Sequence, residues 1–214
     1  MLNLSNISIQ IQGCPLLTFA SLKIMPGQIV SLLGPSGSGK STLLKGIAGL
    51  HDPDICVQGQ IYLYERLLNT LPAHRRNLGY VEQRPTLFPH LNVRQNLAFG
   101  LKGARQEIDQ ALDIAGLQNL SRSDVATLSG GQAARVSLMR TLLSKPKALL
   151  LDEPFAALDM GLRRAMRDFV FHQVRVHRLP TLLVTHDPND AASAQGPVFE
   201  LESGGLRAHG DPHV

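Results

Sequence analysis

Apolar and polar residues alternate along the first segment, Met1-Leu-Asn-Leu-Ser-Asn-Ile-Ser-Ile, and this period of two predicts an exposed strand over Leu4 to Gln12. A second strand is predicted around Leu22 to Ile24, ahead of the turn Met25-Pro26-Gly27-Gln28. Gln28 to Leu33 is short, apolar and β-rich, and it breaks into a Gly/Ser loop. From Lys40 through Leu50 the period becomes helical, with Leu43, Leu44 and Ile47 on one side. Strands are predicted again at Val57 to Tyr64 and at Leu78 to Val81.

Pro85 to about Asp124 differs in character. It lacks long β-rich runs, and Ile108, Leu112, Ala115 and Leu117 recur at helical spacing, which predicts a helical insertion. Beyond Ser129 the pattern reads helix (Gly131 to Leu143), strand (Ala148 to Leu151), helix (Leu162 to Val176) and strand (Thr181 to Val184). Such alternation predicts an α/β fold, a mainly parallel sheet covered by helices. The tail from His209 to Val214 is expected to fray.

With 214 residues, 43% of them hydrophobic, the chain can bury a sizeable core. No apolar run approaches the ~20 residues that span a bilayer, and the N-terminus reads as a strand rather than a signal peptide. A soluble, cytoplasmic protein is expected. Cys14 and Cys56 have neither a disulfide framework nor metal-ligand spacing. The net charge of +4 is scattered, apart from Arg163-Arg164 with Arg167 and a group at Arg175, His177 and Arg178. At helical spacing these read as solvated faces. With three tyrosines and no tryptophan for base stacking, nucleic acid is not an expected partner.

Candidate chemistry begins at Gly34, Pro35, Ser36, Gly37, Ser38, Gly39, Lys40, Ser41 and Thr42, which fit G-x-x-x-x-G-K-[ST] between a predicted strand and a predicted helix. Glycines let the backbone curl until several N–H groups face one anion, and the helix N-terminus adds its positive end. Lys40 then reaches the β- and γ-phosphates of ATP, and the Ser41 hydroxyl is placed to ligate Mg²⁺.

The run Ala148-Leu-Leu-Leu ends in Asp152 and Glu153, and adjacent like charges after a buried run are costly without a cation nearby. In an open α/β sheet, ligands sit beyond the carboxyl ends of the strands. Asp152 is thus positioned to hold Mg²⁺ through water, and Glu153 to orient or deprotonate an attacking water. Thr181-Leu-Leu-Val-Thr-His186-Asp187 repeats the device. Taken alone His186 is an ordinary histidine, but at the tip of such a strand it can donate to the γ-phosphate.

Leu128-Ser129-Gly130-Gly131-Gln132 opens another helix. By itself it is an N-cap; as a second anion-type helix start it can also serve a nucleotide held by another copy.

Gly34 to Thr42, Leu128 to Gln132, Asp152-Glu153-Pro154, Ala157-Leu-Asp159 and His186 resemble, in order and approximate spacing, the ATP-binding cassette (ABC) ATPases, and Gln83 falls where that family has its glutamine loop. The resemblance covers nearly the whole chain. It implies a P-loop NTPase core with an N-terminal antiparallel β region and a helical insertion. A single domain over 1–214 would comprise a catalytic core at 1–84 and 125–214 and a helical subdomain at about 85–124.

The resemblance further implies a head-to-tail homodimer sandwiching two ATP molecules with Mg²⁺. Ser129, Gly130, Gly131 and Gln132 of one subunit would cap the γ-phosphate held by Lys40 of the other, with Asp159 contributing across the interface and Gln83 ligating Mg²⁺. Leu87-Phe88-Pro89-His90-Leu91 and Arg94-Gln-Asn-Leu look most like bacterial binding-protein-dependent importers of the thiamine, inorganic-ion or polyamine type. That implies integral membrane permease subunits, a periplasmic or extracellular solute-binding protein acting indirectly, and a place on the cytoplasmic face of the inner membrane. Leu87 and Phe88 either help form a groove for a permease coupling helix or simply pack the insertion. The extra C-terminal regulatory domain that many such subunits carry is not expected in a chain of this length. Lipoprotein release or export, and soluble cassettes acting on nucleic acid or ribosomes, are the competing uses; a P-loop kinase would give Leu128 to Gln132 no purpose. Two positions depart from the family. Ile11 stands where an aromatic usually stacks on adenine, implying apolar contact with the base, and Glu82 precedes Gln83 where an apolar residue is more usual.

Overall fold

The computed structural model describes residues 1–18, 21–50, 53–202 and 205–208; the tail expected to fray lies outside the described residues. Two sheets share the chain. The first is antiparallel and is built on β1 (Leu2–Ile11), which pairs with β2 (Cys14–Thr18), β3 (Ser21–Ile24) and β5 (Ile55–Leu63), with β6 (Arg66–Leu67) beyond β5. The first strand is therefore central and not exposed. Neighbours on both sides use its backbone groups, and Leu2, Leu4, Ile7 and Ile9 are fully buried.

The second sheet holds β7 (Leu78–Val81), β8 (Ala148–Asp152), β9 (Thr181–Val184), β4 (Ile29–Leu33) and β10 (Val198–Glu202) in that spatial order, all parallel, with β11 (Gly205–Ala208) antiparallel at the β10 edge. Strands buried on both faces carry apolar residues at every position rather than alternate ones. In β8, Ala148 and Leu150 join the core shared with the antiparallel sheet and α1 (Lys40–Ala48), while Leu149 and Leu151 join the core on the opposite face. Leu43, Leu44 and Ile47 of α1 are fully buried, as their spacing predicts.

The opposite face is covered by α2 (Val93–Phe99), α3 (Gln106–Ile114), α4 (Gly130–Leu143) and α5 (Met160–Val176), and α6 (Pro188–Ala194) lies near β4. Ile108, Leu112, Ala115 and Leu117 all point into this core. Five of these elements, β2, β6, α6, β10 and β11, go beyond the pattern reading; each is short, and β2 carries a proline.

Candidate functional site

The register of the parallel sheet gathers the candidate residues at one edge. Asp152 pairs with Val184 across β8 and β9, and Val184 pairs with Leu32 across β9 and β4. The residues that follow these strands, Glu153, Thr185 with His186, and the loop from Gly34, therefore emerge side by side. Glu153 N–H donates to the Val184 carbonyl at 2.9 Å, which carries the ladder one residue past the strand.

Between them lies a cleft of about 250 Å³ lined by Ile11, Leu16, Ser36, Gly37, Gly39, Lys40, Ser41, Thr42, Gln83, Asp152, Glu153 and Val184. Gly39, the residue before α1, holds φ at 97°, and a Cβ there would meet the Leu16 side chain at 3.0 Å. Only glycine satisfies both the left-handed backbone and the close approach of β2. The Lys40 ammonium donates to the carbonyls of Gly34 (2.8 Å) and Pro35 (2.7 Å) and to Ser38 Oγ (3.3 Å), so the loop closes on its own lysine.

Charge is concentrated here under burial. Burial pushes the Lys40 ammonium below the usual lysine range, against the opposing attraction of Glu153 and Asp152. Burial likewise pushes the Asp152 carboxyl up, partly offset by a Ser41 hydrogen bond and the charge of Lys40. The Tyr80 phenol is pushed well above the usual tyrosine range by burial first, then by the charges of Asp152 and Glu82. Glu153 Oε1 lies 2.7 Å from His186 Nδ1, with Glu153 nearly buried and the imidazole exposed.

Asp152 Oδ1 and Glu153 Oε2 are buried without a hydrogen-bond partner, an arrangement that is costly unless a cation or donor arrives. Among the described residues no group of three His, Cys, Asp or Glu side chains could hold a metal alone. The donor set of Ser41, Gln83 and Asp152 suits Mg²⁺, which typically takes one or two carboxylates and completes its shell with water and substrate phosphate.

Other expected residues stand outside this cleft. Ser129 and Gln132 form a reciprocal capping box at the start of α4: Gln132 N–H donates to Ser129 Oγ (3.3 Å) and Ser129 N–H to Gln132 Oε1 (2.8 Å). Asp159 caps α5, its Oδ1 accepting from Leu162 N–H at 3.0 Å. Neither Ser129 to Gln132 nor Asp159 lines the cleft. Gly34, Pro35 and Ser38 touch it through Lys40, and His186 through Glu153.

The basic group at Arg163, Arg164 and Arg167 departs from the solvated face expected of it. Arg164 is solvated, but Arg163 and Arg167 turn inward onto Asp187 and Asp190, because α6 brings two carboxylates to their side of α5. Leu16 and Tyr80 are site residues that the pattern reading missed. Leu16 sits in a strand it did not predict, and Tyr80 is separated from Asp152 by a crossover of some seventy residues. Glu82 accepts a hydrogen bond from Thr86 Oγ1 at 2.6 Å; burial pushes the Arg140 guanidinium below the usual arginine range, and the charge of Glu82 partly offsets that.

A family model described as ABC transporter matches residues 17–156, a span that holds the phosphate loop, Gln83, Ser129 to Gln132, Asp152 and Glu153. Among curated relatives, the uncharacterized ABC transporter ATP-binding protein YnjD of Escherichia coli (strain K12) is 41% identical over 89% of this chain and 90% of its own length. The Fe(3+) ions import ATP-binding protein FbpC of Pseudomonas fluorescens is 42% identical over 94% of this chain and 58% of its own length. The sulfate/thiosulfate import ATP-binding protein CysA of Synechocystis sp. is 37% identical over 97% and 59%. The chain thus spans less than two thirds of those two import proteins. A solved structure described as the dimeric, post-hydrolysis state of the ATP-binding cassette MJ0796 bound to ADP and Pi superposes with a TM-score of 0.85 at 30% identity, covering 98% of both chains. The chain belongs to the ABC transporter family, as one of its ATP-binding ATPase cassettes.

Proposed function

We propose that this chain is the ATP-hydrolysing subunit of a solute importer and that ATP closes two copies of it head to tail. The observation that carries the reading is the division of the site. The phosphate loop, Gln83, Asp152, Glu153 and His186 converge on one edge, while Ser129 to Gln132 and Asp159 cap helices outside that cleft. A second copy would bring its Ser129, Gly130, Gly131 and Gln132 onto the γ-phosphate, with its Asp159 beside them. The relatives named for iron and sulfate import support the direction of transport.

Within one half-site, Lys40 would leave its own loop carbonyls for the β- and γ-phosphates. Ser41, Gln83 and Asp152 would hold Mg²⁺, which when bound neutralises charge on the phosphate oxygens. Glu153 would take the proton of a water whose oxygen bonds to the γ-phosphorus as the bond to ADP breaks. With Nδ1 of His186 facing Glu153, Nε2 is left for the γ-phosphate. Ile11 and Leu16 would give adenine an apolar contact in place of an aromatic stack.

Residues 1–84 and 125–214 would act as the catalytic core and about 85–124 as the helical subdomain that meets integral membrane permease subunits. Phe99 is 65% exposed and packs on Phe88, ring centroids 4.1 Å apart. That pair offers a permease helix an aromatic surface. The chain would then sit on the cytoplasmic face of the inner membrane, fed from outside by a solute-binding protein. Among the described residues no helix is long and apolar enough to cross a membrane.

Glu153→Gln at saturating Mg-ATP should stop turnover and elute as a dimer by light-scattering chromatography. A monomer under those conditions overturns the sandwich. The natural complex should co-purify with a permease and a solute-binding protein; recovery with ribosomes or DNA overturns the transport reading.

A further inference from the structure

Strand β9 ends at Val184, and Thr185 N–H still donates to the Leu32 carbonyl of β4 at 3.3 Å. Beyond that bond the segment is held by charged side chains. Arg163 Nη2 lies 2.8 Å from Asp187 Oδ2 and 2.6 Å from Asp190 Oδ2. Arg167, one turn further along α5, places Nη1 3.3 Å from Asp190 Oδ1. Thr185 Oγ1 donates to Asp190 Oδ2 at 3.3 Å and accepts from the Asp187 N–H at 3.1 Å. The residues on either side of His186 therefore belong to one network centred on Asp190, whose side chain is 1% exposed.

Stability alone does not account for this arrangement. Buried ion pairs are often no better than apolar residues of the same volume, and here Arg163 Nε and Arg167 Nε are both buried without a hydrogen-bond partner, Arg167 Nε standing 3.8 Å from Asp168 Oδ1. The network does supply a fixed geometry. The imidazole of His186 is 66% exposed, and among the described residues its one side-chain hydrogen bond is to Glu153. The same arginines stand on the helix that Asp159 caps, one and two turns from the cap.

We propose that Arg163 is a positioning residue for His186. Its Nη2 bridges Asp187 and Asp190, fixes the backbone on which His186 is mounted, and ties that backbone to the helix that begins at Asp159. Contact of a second subunit with Asp159 and the placement of His186 over the nucleotide then belong to one rigid unit. The proposal deepens the ATPase reading and rests on it for the role of His186.

The test is Arg163→Lys, which keeps the charge but loses the longer, planar guanidinium whose Nη2 reaches both carboxylates. Steady-state ATPase kinetics, thermal melting and the imidazole ¹³Cε1–¹H NMR signals are measured with and without Mg-ATP. The His186 signal is identified by its loss in His186→Ala. Expected are a kcat lowered about ten- to hundredfold, as a small misplacement of a reacting group produces, a KM for ATP within about twofold, an unchanged melting temperature and a shifted His186 signal with the other assigned histidine signals in place. Wild-type kcat with an unmoved His186 signal overturns the proposal. So does a fall in kcat accompanied by a lower melting temperature and general movement of the histidine signals, which marks a purely structural role. If Arg163→Lys does not fold, Asp187→Asn removes the charge of one of the two bridged carboxylates and is judged by the same readings. A wild-type protein that fails to hydrolyse ATP would sink the ATPase reading instead, while the His186 signal still reports on the clamp.

Discussion

Glu153 and His186 meet at 2.7 Å although they lie 33 positions apart in the chain. Adjacent parallel strands in register bring them together, and a strained backbone aims the carboxylate: Glu153 holds φ at 48°, in the left-handed region. A non-glycine residue there costs roughly 1–2 kcal/mol. Glycine would release that strain and the buried, unpartnered Oε2, against its own entropic cost of about 0.5–1 kcal/mol. Glu153→Gly should therefore melt at or slightly above the wild-type temperature without nucleotide, while turnover falls by about a hundredfold or more. Melting and ATPase assays check this together. A loss of many degrees would mean that the bond to His186 outweighs the strain.

Asp152 makes stability depend on pH with a definite sign. Its carboxyl is raised in the folded protein, chiefly by burial. Such a group contributes fully to stability only below its unfolded pKa, near 3.9, and that contribution is lost as pH rises through the folded value. Asp152→Asn should raise the melting temperature of the nucleotide-free protein at pH 7 by about 2–4 °C, the shift that ~1 kcal/mol produces in a domain of this size. The gain should shrink as pH falls into the carboxylate range. The same variant should lose the extra stability that Mg-ATP gives the wild type. Melting curves at several pH values, with and without Mg-ATP, measure both effects.

The strands that carry the site were legible because a strand buried on both faces must be apolar throughout, and Ala148 to Leu151 and Thr181 to Val184 are. The phosphate loop was legible because its glycines and lysine answer local backbone requirements. What stayed hidden depends on tertiary proximity. Whether Arg163 faces solvent or Asp190 is decided by where α6 packs, and Pro188 at its first turn was too slight a signal to announce a seven-residue helix. Leu4 to Gln12 alternates like a half-exposed strand, but strands on either side of β1 pair its edges, and the core shared with α1 and the parallel sheet buries its apolar face. Glu82 had no visible purpose in sequence because Thr86, which donates to it, is placed by the loop after β7, and Arg140, which feels its charge, is placed by α4.

Neighbouring glycines at the start of α4 should answer differently to one added methyl. A Cβ on Gly131 would come within 2.9 Å of the Ala157 carbonyl, whereas one on Gly130 meets nothing within 4 Å. Gly131→Ala must push α4 away from the 153–159 segment and should lower the melting temperature by several degrees. Gly130→Ala should leave folding intact or gain up to about 1 kcal/mol from helix propensity. Since Gly130 would face the partner's nucleotide, its variant should nonetheless weaken ATP-driven dimer formation in the Glu153→Gln background. Melting separates the two glycines, and sedimentation with Mg-ATP tests the second effect.

Asn96 holds the loop that presents Phe88. Its amide donates to the carbonyls of Phe88 (3.2 Å), Leu91 (2.9 Å) and Asn92 (3.1 Å). Its oxygen accepts from Phe88 N–H (2.9 Å) and Arg140 Nη1 (3.2 Å), and the residue is fully buried. Arg140 in turn donates to the Thr86 carbonyl at 2.5 Å and lies over the Phe88 ring, 4.9 Å from its centroid. Truncation at Asn96 leaves several buried polar groups unpaired at once, each costing about 1–3 kcal/mol less whatever water recovers. Asn96→Ala should therefore destabilise the protein by roughly 2–4 kcal/mol, and proteolytic cleavage between residues 86 and 92 should accelerate. Asn96→Asp keeps the acceptor for Phe88 N–H and Arg140 but sets carboxylate oxygen against three carbonyls. Unless it stays protonated, it should be no more stable than the alanine variant at pH 7 and should recover at lower pH, which urea titrations at the two pH values would reveal.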